Sequence, residues 1–434
     1  MRYQHLTDNC LASAIGEDGL SDEAFARVLL SAAPAHDRLC QLHDSGDLPC
    51  LSVVAGGDDL TAARALAEDW RGRLKDVAVL GTGGSSLGGQ TLYALSDRGF
   101  GPTGGGPRLH FLDNVDPDGV SALLGALDLT RAGLIAISKS GATAETLAQL
   151  LILLPALEEA VGPSRLPDHA AVVTEPKPSP LREIAARYAL PCFDQDPGIG
   201  GRFSVFSVVG ALPALIAGLD VVALRRGAED VLRATLDAGR VEDAVPAVGA
   251  AIAIGLLQER RITQSVLITY QDRLAQLGLW YRQLWAESLG KDGAGMTPIR
   301  ALGTADHHSQ LQLYLAGPRD KMFTLVMPMT AGQGPPMSAA LAAAAGTESL
   351  AGRPLGDVLD AAARATAETL ARNGRPVRQF RLEALDEAAL GAVQMHFMLE
   401  TIIAADLLGV NAFDQPAVEE GKLLARRYLD EAVE

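Results

Sequence analysis

Short apolar runs alternate with helical patterns along most of the chain. In the first half these runs are three or four residues long, and each is followed by a polar or Gly-rich turn. Short runs that alternate with helices are typical of parallel strands buried on both faces. The predicted strands are residues 77–80, 109–112, 134–137, 170–173 and 191–193. Helices are expected from about residue 86 and over residues 144–161.

The same rhythm restarts after a predicted helix at 248–261. Strands are predicted at 265–270, 323–327 and 379–382, and helices at 274–291 and 385–408. Because 434 residues exceed the usual size of one core, two domains are expected. The predicted division is an N-terminal segment of helical turns and loops (1–50), two α/β domains (51–230 and 231–405) and a C-terminal extension (406–434).

Composition and charge narrow the class of partner. Hydrophobic residues make up 48% of the chain and charged residues 21%, as in a folded globular protein. The formal net charge is −16, and no block of Lys and Arg opposes it, so nucleic acid and anionic membranes are not expected partners. Pro and Gly interrupt the apolar stretches 203–219 and 322–347, so neither is predicted to span a membrane.

The cysteines suggest neither a disulfide framework nor a metal site. Cys10, Cys40, Cys50 and Cys192 form no CxxC pair and lie at no metal-ligand spacing from a histidine. We therefore expect reduced thiols and no metal. The N-terminus also lacks the continuous apolar core of a signal peptide, so a cytoplasmic location is predicted.

Two turns that follow predicted strands carry features of phosphate binding. Residues 81–88 read GTGGSSLG; Gly84 and its neighbours allow a ligand to approach the backbone, although Gly-rich turns are common. Residues 138–146 read SKSGATAET and bring several hydroxyls and the Lys139 ammonium to a helix N-terminus. A helix cap alone would need only one of these hydroxyls. Both turns are expected at the carboxyl edge of one sheet. Neither matches a dinucleotide fingerprint, so no redox cofactor is expected.

Each of four further motifs, taken alone, fits an ordinary structural role as well as a functional one. GGRFS places Arg202 after two glycines, and a solvated surface arginine explains it equally well. Gln283, Glu287 and Lys291 are spaced by four residues on a predicted helix, which commonly indicates an exposed salt bridge. The others are a histidine pair before Ser309 and NAFDQPAVEEGK near the C-terminus.

In this order along the chain, the six motifs resemble those of the phosphoglucose isomerase family. The similarity runs from about residue 81 to residue 422. It implies two sugar isomerase domains, each a mainly parallel sheet flanked by helices, with a helical C-terminal extension. It also implies interconversion of glucose 6-phosphate and fructose 6-phosphate without a cofactor. Two positions depart from the pattern: Ala142 stands where Thr is usual, and Ala286 where Gly is common.

The resemblance implies roles for individual residues. Glu287 matches the base that moves a proton between C1 and C2, and Arg202 matches the arginine that stabilises the enediolate. His308 and Lys422 match the ring-opening residues. The substrate-binding positions are Gly84, Ser85, Ser138, Lys139, Ser140, Thr143, Gln283 and Gln415.

The resemblance also implies a homodimer in which His308 reaches the partner's site. The apolar helix at 385–408 is the expected source of interface surface. Three alternatives stay open: an isomerase that also accepts mannose 6-phosphate, a non-catalytic sugar-phosphate sensor, and a scaffolding protein. A sensor would tend to lose Glu287 and gain a DNA-binding or kinase-binding segment. The first 50 residues show no basic recognition helix, and the net charge is wrong for DNA.

Overall fold

The computed structural model describes residues 2–431. Residue 1 and residues 432–434, the outer ends of the predicted N-terminal segment and C-terminal extension, lie outside the described residues. The strands are β1 (Tyr3–Leu6), β2 (Asp76–Leu80), β3 (Arg108–Leu112), β4 (Ala132–Ile137), β5 (Ala170–Thr174), β6 (Cys192–Asp194), β7 (Gln264–Tyr270), β8 (Thr297–Gly303), β9 (Lys321–Pro328) and β10 (Val377–Leu382). The α-helices are α1 (Ala12–Ile15), α2 (Asp22–Ser31), α3 (Ala33–Asp44), α4 (Pro49–Ser52), α5 (Thr61–Arg73), α6 (Leu87–Ser96), α7 (Pro117–Ala126), α8 (Ala144–Val161), α9 (Pro180–Arg187), α10 (Val208–Ile216), α11 (Val221–Leu236), α12 (Val245–Arg260), α13 (Ala275–Leu289), α14 (Leu311–Ala316), α15 (Ala339–Ala344), α16 (Leu355–Arg372), α17 (Glu387–Leu408) and α18 (Glu419–Glu431).

The first sheet has the order β3-β2-β4-β5-β6, and every pair in it is parallel. All six residues of β4 and all five of β5 are buried, because helices cover both faces of the sheet. The unbroken apolar runs in the sequence reflect this burial. The five strands predicted in this half of the chain are confirmed, with ends that differ by at most two residues.

The second sheet has the order β1-β10-β9-β7-β8. Its four successive strands β7 to β10 are parallel, whereas β1 pairs antiparallel with β10, with Tyr3 opposite Leu382. The prediction of only helical turns and loops in residues 1–50 was therefore wrong for β1. Strand β8 was not predicted either. Both are edge strands with broken burial patterns, so neither shows a continuous apolar run.

One large core lies between the two sheets. It includes Val77 and Val79 of β2, Met322 and Val326 of β9, and buried residues of helices α10 to α13 and α17. Helix α17 is at its centre, with every residue from Ala388 to Ala405 buried. The expectation that this helix supplies surface to a subunit interface was therefore wrong, because the chain itself covers it. Within residues 2–431 it is the one helix long and apolar enough to cross a membrane, and its apolar stretch is buried inside the fold.

A buried polar network connects α17 with the second sheet. Arg378 donates two hydrogen bonds to Glu400 at 2.9 and 2.7 Å, and both side chains are fully buried. His396 Nε2 lies 2.9 Å from Glu400 Oε2, and His396 Nδ1 lies 2.6 Å from the Tyr3 hydroxyl. A neutral His396 that donates from Nε2 and accepts at Nδ1 satisfies both contacts. The network thereby fixes β1 on the edge of the sheet.

Candidate active site

The Gly-rich turn after β2 is packed against two other candidate segments. A Cβ atom at Gly84 would lie 2.1 Å from the backbone carbon of Gly201, so only glycine fits there. A Cβ atom at Gly83, where φ is +54°, would lie 2.9 Å from Gln283 Nε2. Ser85 ends the short 3₁₀ turn Gly83–Ser85 and is partly exposed. The glycines therefore allow this turn to meet both the Arg202 segment and helix α13.

The hydroxyl-rich turn after β4 leads directly into α8. Ser138 Oγ and Thr143 Oγ1 are 2.8 Å apart, and Ser140 Oγ accepts a hydrogen bond from the backbone N–H of Ala142 at 3.2 Å. Since β2 and β4 are parallel neighbours, both turns lie at the same edge of the sheet. The Lys139 ammonium donates to the carbonyl of Pro197 at 2.8 Å. It also lies 3.6 Å from Glu175 Oε1, so its charge is already partly balanced.

Arg202 is the most highly coordinated side chain of the site. Its guanidinium is only 2% exposed, and burial lowers its pKa below the ordinary value, an effect that Glu287 opposes. An arginine nevertheless keeps its charge in proteins. Each of its five N–H groups has an acceptor. They are Ser288 Oγ (2.8 Å), Glu287 Oε2 (3.3 Å), Gln415 Oε1 (2.7 Å), the carbonyl of Ala412 (2.5 Å) and the carbonyl of Asp414 (3.0 Å).

Helix α13 presents Glu287 to this guanidinium. Gln283 lies one turn earlier and donates to Glu287 Oε1 at 3.1 Å, so the predicted shared face of Gln283 and Glu287 is confirmed. The Glu287 side chain is 35% exposed. One of its oxygens thus faces an amide and the other a cation, while part of the carboxylate remains open to a ligand.

Lys291 does not share that helix face. Helix α13 ends at Leu289, and Gly290 has non-helical angles, so the predicted helix to residue 291 was two residues too long. The Lys291 ammonium instead lies 3.1 Å from Asp414 Oδ1. It bonds the C-terminal segment rather than Glu287. The i, i+4 spacing gave no sign of this partner.

The structure does not bring every candidate residue together within one chain. His308 ends the 3₁₀ turn Ala305–His308 and is exposed, with no side-chain hydrogen bond to any of residues 2–431. Asp306 fixes that turn by accepting from the backbone of Leu302 and from Ser309 Oγ, each at 2.7 Å. Lys422 is exposed on α18 and donates to Glu419 at 2.6 Å. Neither His308 nor Lys422 contacts Glu287 or Arg202.

The histidine beside His308 has a different environment. His307 Nε2 lies 2.9 Å from the Tyr270 hydroxyl and 3.2 Å from Thr366 Oγ1. Burial lowers the pKa of His307, and the neighbouring His308 adds to this effect. His307 is therefore a packed, hydrogen-bonded residue, and His308 is the one free to project outward. No cluster of three or more His, Cys, Asp or Glu residues suited to a metal occurs within residues 2–431.

Fold and site together define a protein of the sugar isomerase class. Two helix-flanked, mainly parallel sheets share a core, and the Gly-rich turn packs against the Arg202 segment and the helix that carries Glu287. The hydroxyl-rich turn lies at the same edge of the first sheet. Comparison of the sequence with family models then matches residues 62–306 to phosphoglucose isomerase. The chain belongs to the phosphoglucose isomerase family.

Relatives and solved structures agree with this assignment. The chain is 41% identical to a glucose-6-phosphate isomerase of Rubrobacter xylanophilus, over 80% of this chain and 81% of that one. It is 38% identical to a glucose-6-phosphate isomerase of Thermus thermophilus, over 82% and 84% of the two chains. A solved structure described as a hypothetical protein of Thermus thermophilus superposes with a TM-score of 0.86 at 34% identity, covering 98% of this chain and 99% of that chain. The fold is also that of a glucose-6-phosphate isomerase structure from Chlamydia trachomatis, with a TM-score of 0.75 at 21% identity, covering 87% and 74%.

Proposed function

We propose that this chain catalyses the reversible isomerisation of glucose 6-phosphate and fructose 6-phosphate. The observation that carries the proposal is the group formed by Glu287, Arg202, Gln283 and Gln415, joined by hydrogen bonds of 2.7 to 3.3 Å. The relatives that are 38–41% identical bear the name of this activity.

The phosphate of the substrate is assigned to the turns after β2 and β4. Their backbone N–H groups and the hydroxyls of Ser85, Ser138, Ser140 and Thr143 are suitable donors to an anion at a helix N-terminus. Binding the phosphate away from the reacting carbons fixes the sugar relative to Glu287. Lys139 joins this site if the phosphate competes with Glu175 for its ammonium.

Glu287 is assigned the proton transfer between C1 and C2. A single carboxylate performs both steps if it stays within hydrogen-bond reach of both carbons. In the forward direction it removes the proton from C2 of the open-chain aldose, which gives a cis-enediol intermediate. It then returns the proton to C1, while a proton moves between the two oxygens. Gln283 holds one oxygen of the carboxylate and so limits its rotation.

Arg202 is assigned the stabilisation of the enediolate oxygen. All five of its N–H groups have protein acceptors, so a substrate oxygen must replace one of them. The contact with Glu287 is the longest at 3.3 Å, and is therefore the easiest to exchange. As Glu287 accepts a proton its negative charge disappears, and the cation becomes available to the oxyanion at the same moment.

Ring opening and assembly are linked in this proposal. His308 is exposed and makes no contact with Glu287 of its own chain. We therefore assign it to the active site of the second subunit of a homodimer, with Lys422 as the other ring-opening residue. Helix α18 has no buried residue, and the side chains of Leu423 and Leu429 are 68% and 64% exposed. These exposed apolar side chains are available to a second copy. A cytoplasmic location remains a prediction.

A coupled assay that follows the formation of glucose 6-phosphate from fructose 6-phosphate tests the activity. Mannose 6-phosphate, supplied separately, tests the wider specificity. Glu287→Gln should lower kcat by about 10²–10⁴-fold with little effect on substrate binding. Glu159→Gln is the matched control, because Glu159 is exposed on α8. Activity of the Glu287 variant within a few-fold of wild type would remove Glu287 from the role of base.

Mixing two inactive variants tests the shared site. A Glu287→Gln subunit combined with a His308→Ala subunit should recover activity, because one of the two hybrid sites then holds both native residues. Subunit exchange is confirmed by mass spectrometry. Exchange without recovery would mean that each site is complete within one chain, and the isomerase proposal would remain.

A further inference from the structure

Lys291 lies just beyond the end of α13, with a side chain that is only 10% exposed. Its ammonium donates to the carbonyl of Ser288 at 3.0 Å and to the carbonyl of Asn411, and it lies 3.1 Å from Asp414 Oδ1. An ammonium has three N–H groups, so each has an acceptor. The contact with Ser288 also puts a cation at the C-terminus of a helix, where the dipole favours it. Lys291 therefore joins α13, which carries Glu287, to a segment that begins 120 residues further along the chain.

That segment, residues 411–415, is shaped to receive two cations. Asn411 Nδ2 donates to Asp414 Oδ2 at 3.2 Å, and the backbone N–H of Phe413 donates to Asn411 Oδ1 at 2.9 Å. These bonds fold the segment into a turn. Lys291 contacts Asn411 and Asp414, and Arg202 contacts the carbonyls of Ala412 and Asp414 and the side chain of Gln415, so both cations hold the same turn. The ring of Phe413 also packs on Phe203, with centroids 5.2 Å apart.

The chain beyond residue 415 depends on this segment for its position. The 3₁₀ turn Pro416–Val418 and helix α18 contain no buried residue. Packing against the rest of residues 2–431 therefore contributes little to holding Lys422 in place. The contacts of Lys291 and Arg202 with residues 411–415 are the anchor from which Gln415 and Lys422 extend.

We propose that Lys291 is a positioning residue that tethers residues 411–415 to the end of α13. The tether keeps Gln415 on Arg202, and it sets the place from which α18 brings Lys422 to a substrate. The effect of Lys291 on catalysis rests on the proposed function. The tether itself does not, because it is a contact within the chain. Lys291 acts through these neighbours and needs no contact with the sugar.

The test combines kinetics with hydrogen exchange. Lys291→Met should lower kcat for fructose 6-phosphate by about ten- to a hundred-fold, the range of charged hydrogen bonds, with a smaller change in KM because the phosphate turns are untouched. Amide exchange of residues 411–431 should become at least several-fold faster. Lys291→Arg, which keeps the charge, should recover part of both. Lys75→Met is the control, because Lys75 is exposed at the opposite, amino edge of the first sheet.

Asp414→Asn provides a milder test, since the Asp414 side chain is 52% exposed and its loss does not threaten folding. This variant should shift amide exchange and kcat in the same direction as Lys291→Met. The loss of kcat in the double variant, expressed as a free energy, should be smaller than the sum of the two single losses. Exchange of residues 411–431 that matches wild type in both single variants would overturn the tether. Faster exchange with unchanged kcat would overturn its positioning role. If the wild-type chain proved inactive, the exchange experiment would still decide whether the tether exists.

Discussion

Replacing Arg202 by lysine separates the catalytic role of this residue from its structural role. The side chain is 2% exposed and its guanidinium donates to five acceptors from two regions of the chain, the end of α13 and residues 411–415. Lysine keeps the positive charge but has only three N–H groups. At least two acceptors therefore lose their donor.

The expected loss of stability follows from the number of hydrogen bonds that lysine cannot make. A hydrogen bond to a charged group contributes about 1.5–3 kcal/mol net, so two lost bonds lower the free energy of unfolding by about 3–6 kcal/mol. Activity should fall further than stability explains. Loss of one well-aimed donor to a developing oxyanion typically lowers kcat by about 10²–10³-fold.

Arg225 is a matched control for this experiment. It is also 2% exposed, and its guanidinium makes five contacts of 2.7 to 3.0 Å. Its acceptors are the carbonyls of Phe206 and Gly56 and the carboxylate of Asp59, none of which is a candidate site residue. Its five contacts go to four acceptor atoms, so Arg225→Lys leaves at least one acceptor without a donor and should also destabilise the fold, whereas kcat of the folded fraction should stay near wild type.

Urea unfolding and steady-state kinetics below the unfolding transition measure the two effects. Arg202→Lys and Arg225→Lys should both lose stability, and they should differ by at least tenfold in kcat. If both variants lost kcat equally, Arg202 would be a structural arginine like Arg225. If Arg202→Lys kept full activity, the oxyanion would have to be stabilised by another group.

Three further predictions concern the phosphate turn and the buried network. Changing Ser138 and Lys139 together to alanine should raise KM for sugar phosphates strongly and leave the weak binding of free glucose unchanged; normal binding of glucose 6-phosphate in calorimetry would refute this phosphate site. Glu400→Gln should lower the free energy of unfolding by about 3–5 kcal/mol, because it leaves a buried arginine without its counter-charge, while kcat of the folded enzyme stays the same; a stability loss below about 1 kcal/mol in urea would contradict this. Burial lowers the pKa of both His5 and His396, so below about pH 6.5 the unfolded chain binds more protons than the folded one and stability should decline as the pH falls. His5→Phe should weaken that decline with little loss of stability, because His5 stacks on a phenylalanine and its Nε2 has no hydrogen-bond partner within residues 2–431; an unchanged pH slope would exclude His5 as a contributor.

The parallel strands other than β8 were predictable because extensive burial leaves a direct record in the sequence. A strand such as β4 contributes six buried residues, so it appears as an uninterrupted apolar run before a polar turn. Strand β1 has only four residues, and its burial is irregular because it lies at an edge. Its pairing with β10 depends on a contact between residues almost 380 positions apart, which no local pattern encodes.

The candidate site was predictable only in part, for a similar reason. The spacing of Gln283 and Glu287 correctly indicated a shared helix face, because both lie within one regular helix. The contact of Arg202 with Gln415 joins residues 213 positions apart, and the resemblance suggested their roles but not their bond. Lys291 was misjudged because the helix stops before it, and the sequence pattern did not show that its partner is Asp414.

The antiparallel pairing of β1 with β10 has a consequence for synthesis of the chain on a ribosome. Strand β1 (Tyr3–Leu6) is made long before its partner β10 (Val377–Leu382), so the second sheet cannot close until β10 has emerged. Until then the growing chain carries β1 unpaired, and β10 emerges with a bare edge that is open to pairing with other chains. A fragment that begins near residue 231 would keep that edge exposed permanently. Nascent chains and truncated fragments should therefore be more prone to aggregation than the finished protein.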